Sequence, residues 1–259
     1  MRLENELALV TGASSGIGAE FARQLAAEKV NLVLTARRRD RLEALAAELA
    51  AKHGVQATAI EGDLNTAEGP DQLVERLTSA GQMPSILINN AGFGFYGPLL
   101  EQSADEIDAM IQVNVRALTV LSRRLAGPMI ERRRGAILNV ASFAALAPIP
   151  RYAVYSGAKA YVVAFSQALR HELLPSGIHV SVICPGFTKT EFFDVSGHER
   201  TTLMRATGLT VEQVAAAGII GLKRGTFLIV PGWWYKINTL TAALAPRTIM
   251  SAISGALVK

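Results

Sequence analysis

Tyr155 and Lys159 lie four residues apart in the segment YAVYSGAKAYVVAF. On a helix that spacing stacks two side chains on one face. A phenol has an ordinary pKa of about 10, and a nearby ammonium favours the phenolate and lowers that value. Such a pair is suited to giving or taking a proton near neutral pH, the work of a general acid or base. Ser142 ends an apolar run shortly upstream, GAILNVAS. Its hydroxyl is of the type that hydrogen-bonds a reacting oxygen as that oxygen gains charge. By itself a Tyr-x-x-x-Lys pair also describes an amphipathic helix with a solvated lysine. What separates the two readings is its company, beginning with a glycine-rich turn, TGASSGIG, near the start of the chain.

The elements that must position these residues alternate along the chain. Strand-like apolar runs are ELALVT, VNLVLTA, VQATAIEGDL, SILINNAG, GAILNVAS, HVSVICPG and TFLIVPG. Continuous apolar runs suit strands buried on both faces, as in a parallel sheet. Helical patterns lie between them. One is DRLEALAAELAAKHG, which stops at Gly54, and Ser103-x-x-Glu106 and Thr210-x-x-Gln213 read as capping boxes that open two later helices. The expected fold is α/β: a doubly wound, mainly parallel, seven-stranded sheet with helices on both faces, forming one domain over 1–259. Two segments break the rhythm. Residues 187–208 read as a substrate loop, and 233–259 as a helical tail interrupted at Pro246.

Composition narrows the function. Half of the 259 residues are hydrophobic, enough for a sizeable core. The single cysteine, Cys184, excludes an intrachain disulfide framework, and the four histidines show no metal-ligand spacing, so no metal is expected. A net charge of +4 fits an anionic ligand, but no nucleic-acid motif accompanies it. The basic run Arg132–Arg134 reads as the cap of a helix C-terminus. The first strand begins almost at once, leaving no room for a signal peptide, and no apolar run reaches the roughly 20 residues of a membrane span. A cytoplasmic protein is expected.

Gly12, Gly16 and Gly18 follow the first strand directly. Glycines there permit a tight turn and close backbone approach to a pyrophosphate, which the next helix N-terminus would attract. The second strand bears on which dinucleotide. An acidic residue about 20 positions on would bind a ribose 2′-hydroxyl. This chain instead has Ala36, Arg37 and Arg38. A guanidinium fork suits a 2′-phosphate, which points to NADP(H). The plainer alternative is that these arginines are the solvated start of the next helix. Asp63, in EGDL, is expected at the C-terminal edge of the sheet near an adenine.

With these motifs in this order, the chain resembles the single-domain short-chain dehydrogenase/reductase family. The resemblance runs to about Gly232 and is carried by TGASSGIG at 11–18, GDL at 62–64, NNAG at 89–92, Asn114 in VNV, Ser142 in NVAS, Tyr155-Ser-Gly-Ala-Lys159, and Pro185-Gly186 followed by Thr188 and Thr190. It implies a Rossmann-like sheet. It implies that Tyr155 is the general acid or base, that Lys159 holds the nicotinamide ribose and lowers the tyrosine pKa, that Ser142 bonds the substrate oxygen, and that Asn114 holds a water in a proton relay. It also implies that Ser14, Ser15 and Ile17 of the turn and Leu64 beside Asp63 contact NADP(H), and that Asn90, Ala91 and Gly92 line its adenine ribose. Asn89 would tie strands together, while Pro185, Gly186, Thr188 and Thr190 would contact the nicotinamide end.

The activity so implied is interconversion of a carbonyl compound and an alcohol, in the direction of a reductase. Phe93 and Phe95 near the cofactor edge, with Tyr96, and Phe192 and Phe193 in the loop, with Val195, Leu203 and Met204, suggest a fairly apolar substrate. A 3-oxoacyl thioester, a steroid and an aromatic ketone all fit. The Pro-Gly-Trp-Trp start of the tail is similar to that of the branch with acyl-chain and steroid reductases. Two other readings stand beside this one. A sugar-nucleotide epimerase or dehydratase shares the Tyr-x-x-x-Lys pair but needs a C-terminal substrate domain for which there is no room. A catalytically idle NADP-binding sensor or scaffold would not need all four catalytic positions. A homodimer or homotetramer is expected, through helices around 104–133 and 153–174 whose apolar surplus includes Val162, Val163 and Phe165. For the tail, packing as a lid or oligomer contact is favoured over contact with a membrane surface.

Overall fold

A computed structural model describes residues 2–198 and 202–244, without the side chains of 194, 195, 203–205 and 240–244. Seven strands form one parallel sheet in the order β3-β2-β1-β4-β5-β6-β7. They are β1 (Leu7–Thr11), β2 (Asn31–Ala36), β3 (Ala57–Glu61), β4 (Ile86–Asn89), β5 (Gly135–Val140), β6 (Ile178–Ile183) and β7 (Leu228–Ile229). The apolar runs are continuous because alternate residues feed two separate cores. Ala8, Val10, Leu32, Leu34, Ile86 and Ile88 pack with α1 (Gly16–Ala27), α2 (Arg39–His53) and α9 (Val211–Arg224). Leu9, Val33, Leu87 and Ile137 pack on the other face with α3 (Gly69–Ser79) and α5 (Leu118–Glu131).

Several local signals act as their chemistry requires. Gly54 ends α2 at φ 67° in the left-handed region. The Ser103 and Thr210 capping boxes open α4 (Ala104–Ile111) and α9. Arg132 closes α5, donating to the Pro128, Met83 and Pro84 carbonyls.

The structure also corrects the sequence reading. The last strand shrinks to two residues, and β3 stops at Glu61, two residues short of Asp63. Between α4 and α5 the helix widens into a π segment over Gln112–Ala117. In α6 (Ala153–Leu173), Val162 is fully buried in the core and so is no surplus, while Val163 and Phe165 pack against that core and stay partly exposed. The segment 187–208 contains two short helices, α7 (Phe192–Ser196) and α8 (Thr202–Thr207). The tail starts as α10 (Trp233–Leu244), while Pro246 and the apolar positions Ile249, Met250, Ile253 and Leu257 lie outside the described residues. No helix among the described residues is long and apolar enough to cross a membrane.

The strand order reverses at β1, which has β2 on one side and β4 on the other. A ligand crevice is expected at such a switch point.

Candidate active site

A cleft of about 740 Å³ opens at that point. Its floor begins with the turn after β1. Gly12 is at φ 66°, and a Cβ on it would lie 2.9 Å from the Ala91 Cα, so the turn and the β4 end need glycine there. Thr11 Oγ1 accepts from the Asn90 and Ala91 amides, and the Asn90 side chain donates back to the Thr11 carbonyl at 2.9 Å. This reciprocal stitch fixes the two strand ends that carry the turn. Ser14, Ser15, Gly16, Ile17, Asp63, Leu64, Asn90, Ala91 and Gly92 all line the cleft. Gly18 does not. It is buried, and a Cβ on it would lie 2.4 Å from the Gly12 carbonyl oxygen, so its role is close packing of α1 under the turn.

Both arginines border the cleft, but they differ. Arg37 is exposed. Arg38 folds back over the turn and donates through Nε to Ser14 Oγ at 3.1 Å and through Nη2 to Ser15 Oγ at 2.6 Å. Ser15 therefore makes no side-chain cap to α1, whose first turn also lacks an acidic residue. Unpaired N–H groups at that helix end, a backbone that can be approached closely, and a guanidinium fork beside them fit the pyrophosphate and 2′-phosphate of a dinucleotide.

The other end of the cleft gathers the proton-transfer groups. Ser142, Tyr155 and Lys159 line it together, with Pro185, Gly186, Thr188 and Thr190 on the β6 side. Ser142 follows β5, and its Oγ accepts from the Ala144 amide at 3.1 Å, which orients the hydroxyl. Tyr155 and Lys159 sit one turn apart on α6, with Lys159 Nζ 5.8 Å from the phenol ring centre. Lys159 is buried and donates to the Val140 carbonyl at 2.9 Å. Burial lowers its pKa to about 8, partly offset by Cys184. Burial also pushes the Tyr155 phenol well above its ordinary value, against a hydrogen bond from Ser142 that lowers it. The lowered phenol pKa expected from Tyr-x-x-x-Lys spacing does not appear: burial dominates, and it is the Ser142 hydroxyl, not the Lys159 ammonium bound to the Val140 carbonyl, that opposes it. Cys184 beside them is raised to about 12, chiefly by burial, and is not nucleophilic.

Asn114 is fully buried in the π segment, behind the cleft rather than on its wall. Its Nδ2 donates to the Phe93 and Met110 carbonyls, which leaves Oδ1 buried without a partner. A Cβ on Gly92 would lie 2.5 Å from that Oδ1 and 3.1 Å from Lys159 Nζ, so the three groups converge on one small space. One-turn π-helical insertions recur at functional sites because they re-aim a side chain of this kind. Asn89 joins the strands as expected, donating to Asn139 Oδ1 at 2.9 Å and Ser122 Oγ at 3.0 Å.

Comparison with known proteins bears on this geometry. Residues 6–201 match the family model described as short chain dehydrogenase. The chain belongs to the short-chain dehydrogenase family. Over 240 residues it is 30% identical to a very-long-chain 3-oxoacyl-CoA reductase of Anas platyrhynchos, covering 89% of this chain and 75% of that one. It is 39% identical over 180 residues to a protein of the same name from Phaeosphaeria nodorum; there it covers 68% of this chain and spans about half of the relative, 53%. A short-chain dehydrogenase from Sphingobium yanoikuyae, solved in complex with NADPH, superimposes with a TM-score of 0.83 at 34% identity, over 92% of this chain and 94% of that one.

On the substrate side of this family fold, Phe93, Phe95, Phe192 and Phe193 line the cleft as expected, whereas Tyr96 turns away to stack on His198 with ring centres 3.8 Å apart. Three contributors were missed. Tyr152, one turn before Tyr155, lines the cleft and ties its hydroxyl to Ser196 Oγ at 3.1 Å and His198 Nδ1 at 3.2 Å. Burial raises its pKa to about 12. Tyr235 reaches the cleft from α10 and accepts the Phe187 amide at 3.0 Å. Its ring fills the place of a Gly186 side chain, 2.0 Å from where a Cβ would stand. Glu191 holds Arg38 and Arg41. None of these carries a local spacing signal; each is recruited by a partner far away in sequence. Val195, Leu203 and Met204 have side chains outside the described residues.

Proposed function

We propose that this chain is an NADP(H)-dependent carbonyl reductase of fairly apolar ketones or aldehydes, 3-oxoacyl thioesters among them. The observation that carries the reading is the joint lining of one cleft by Arg38 over the glycine turn at one end and by Ser142, Tyr155 and Lys159 at the other. Arg38, Ser14 and Ser15 would hold the 2′-phosphate, and the amides opening α1 the pyrophosphate. Bound there, the cofactor supplies a hydride to the carbonyl carbon. The residues supply position and a proton. With Oγ accepting from the Ala144 amide and its proton directed at Tyr155, Ser142 can turn that proton to the carbonyl oxygen, where negative charge develops. Tyr155, kept protonated by burial, gives its Oη proton to that oxygen as the alcohol forms. Lys159 lies one turn away, with a pKa near enough to neutrality to return a proton, and Asn114 Oδ1 faces the space beside it. The four phenylalanines keep the reacting carbonyl in apolar surroundings. The NADPH bound to the Sphingobium relative and the 3-oxoacyl-CoA names of the avian and fungal ones support cofactor and substrate class. Like many soluble enzymes, the protein is proposed to work as a homodimer or homotetramer.

The test is NADPH oxidation with a panel of aryl ketones, steroid ketones and 3-oxoacyl thioesters. Tyr155→Phe should lower kcat by roughly 10²–10⁴-fold with little change in NADPH affinity, since it removes a proton donor only. Near-normal turnover in that variant would remove Tyr155 from the reaction.

A further inference from the structure

Glu191 stands at the start of the substrate loop, one residue before α7, yet its carboxylate is bound at the cofactor end of the cleft. Oε2 accepts from Arg38 Nη1 at 2.9 Å and Oε1 accepts from Arg41 Nη1 at 2.9 Å. The remaining donors of Arg38 go to Ser14 and Ser15. Thr190, the preceding residue, places its methyl 3.3 Å from where a Cβ on Gly16 would stand. The loop that carries Phe192 and Phe193 toward the substrate is thus pinned, through one carboxylate, to the donors that would recognise a 2′-phosphate. Arg41 first and Arg38 second hold that carboxyl at about 2, so it is an anion throughout the working range of pH.

A ribose 2′-phosphate presents three acceptor oxygens and about −1.5 to −2 charges, against two oxygens and one charge for the carboxylate. Both anions are suited to the same guanidinium fork, and their like charges oppose simultaneous binding. NADH has no such group and leaves the Glu191–Arg38 contact undisturbed.

We propose that Glu191 competes with the cofactor's 2′-phosphate for Arg38, so that NADPH, and not NADH, releases the start of the substrate loop. The inference rests on Arg38 as the 2′-phosphate residue, and the experiment separates the two ideas. Dissociation constants for NADPH, NADH and 2′,5′-ADP are measured by fluorescence titration for wild type, Glu191→Gln and Arg38→Ala. Tryptic cleavage after the exposed Lys189 is followed in parallel with each cofactor at saturation. In Glu191→Gln, NADPH and 2′,5′-ADP should bind roughly 3- to 10-fold more tightly and NADH should change less than 2-fold, the scale of one or two exposed ion pairs. In wild type, cleavage should be faster with NADPH than with NADH, and the variant should cancel that difference. Unchanged or weaker NADPH binding in Glu191→Gln would overturn the competition, leaving Glu191 as a support for the arginines. Arg38→Ala should weaken NADPH and 2′,5′-ADP at least 10-fold. If it does not, the 2′-phosphate reading itself falls and the competition falls with it.

Discussion

The two ends of the cleft are built by different means. At the cofactor end, backbone does the positioning: a glycine turn, the stitched ends of β1 and β4, and an open helix N-terminus. At the substrate end, side chains from distant segments do it. Tyr96, Tyr152 and His198 form an aromatic cluster, the Tyr96 amide bonds the Ser196 carbonyl at 2.9 Å, and Tyr235 comes in from α10. A backbone-built site tolerates no added atom, because neighbouring main chain cannot move aside. A site built from aromatic side chains can repack at moderate cost. One half of the molecule is therefore specified tightly for a constant ligand, and the other loosely enough for substrate preference to change.

The sharpest way to break this contrast is Gly92→Ala. The added methyl would enter the space shared by Asn114 Oδ1 and Lys159 Nζ, two buried groups with little freedom. Turnover should drop by roughly 10²-fold or more, the effect of displacing a proton-transfer group by an ångström. Far-ultraviolet circular dichroism should show an intact fold. Turnover within a factor of three of wild type would mean that the glycine-lined wall at Gly92 yields as readily as the aromatic one.

The next effect in size lies on the substrate side. Tyr235 is 4% exposed and packs against Phe143, Phe187 and Gly186. Tyr235→Ala should cost roughly 3 kcal/mol, as large-to-small changes of aromatics do. Thermal unfolding should come ~6–12 °C earlier for a chain of this size. KM for an apolar ketone should shift several-fold, while the affinity for 2′,5′-ADP stays unchanged. An unchanged KM would detach α10 from substrate binding. The same packing bears on the first turn of the tail: Tyr235 docks inward while Trp233 stays 72% exposed.

The contrast also explains what could be read from the sequence. The cofactor end depends on residue types that few others can replace, at close spacing along the chain. Gly12, Gly16 and Asn90 were therefore visible as motifs, and so, at the other end of the cleft, was the closely spaced Tyr155–Lys159 pair. So was the doubly wound sheet, because burial on two faces leaves uninterrupted apolar strands. Tyr152, Glu191 and Tyr235 are ordinary residues that matter through partners 44, 153 and 48 positions away, and no local pattern announces such contacts. Val162 was misjudged for a related reason: an apolar residue on a helix does not say which neighbour covers it. The Tyr155 pKa is raised rather than lowered because spacing does not reveal the surrounding protein that withholds water from the phenol.

The junction of the two halves carries the smallest predicted effect. Lys159 is buried at the point where backbone-built and side-chain-built regions meet, and burial has lowered its pKa from 10.5 to about 8. Below about pH 8 the lysine is charged in folded and unfolded chains alike, and its desolvation counts fully against the fold. Between about pH 8 and 10.5 the folded chain has already released the proton that the unfolded chain still holds. Stability from this group therefore rises with pH across that window. Tyr155 acts in the opposite sense from about pH 10 upward, where the unfolded phenol ionises first. Lys159→Met keeps the bulk, removes the charge and gives up the hydrogen bond to the Val140 carbonyl. At pH 7 it should raise the unfolding midpoint by ~2–6 °C while abolishing turnover. The gain should shrink as the pH is raised from 8 to 10, in calorimetric scans of variant and wild type side by side. A gain independent of pH would place the strain in packing rather than in the buried ammonium. A loss at pH 7 would mean that the Val140 hydrogen bond outweighs desolvation, and that the catalytic junction is as well satisfied as the glycine turn beside it.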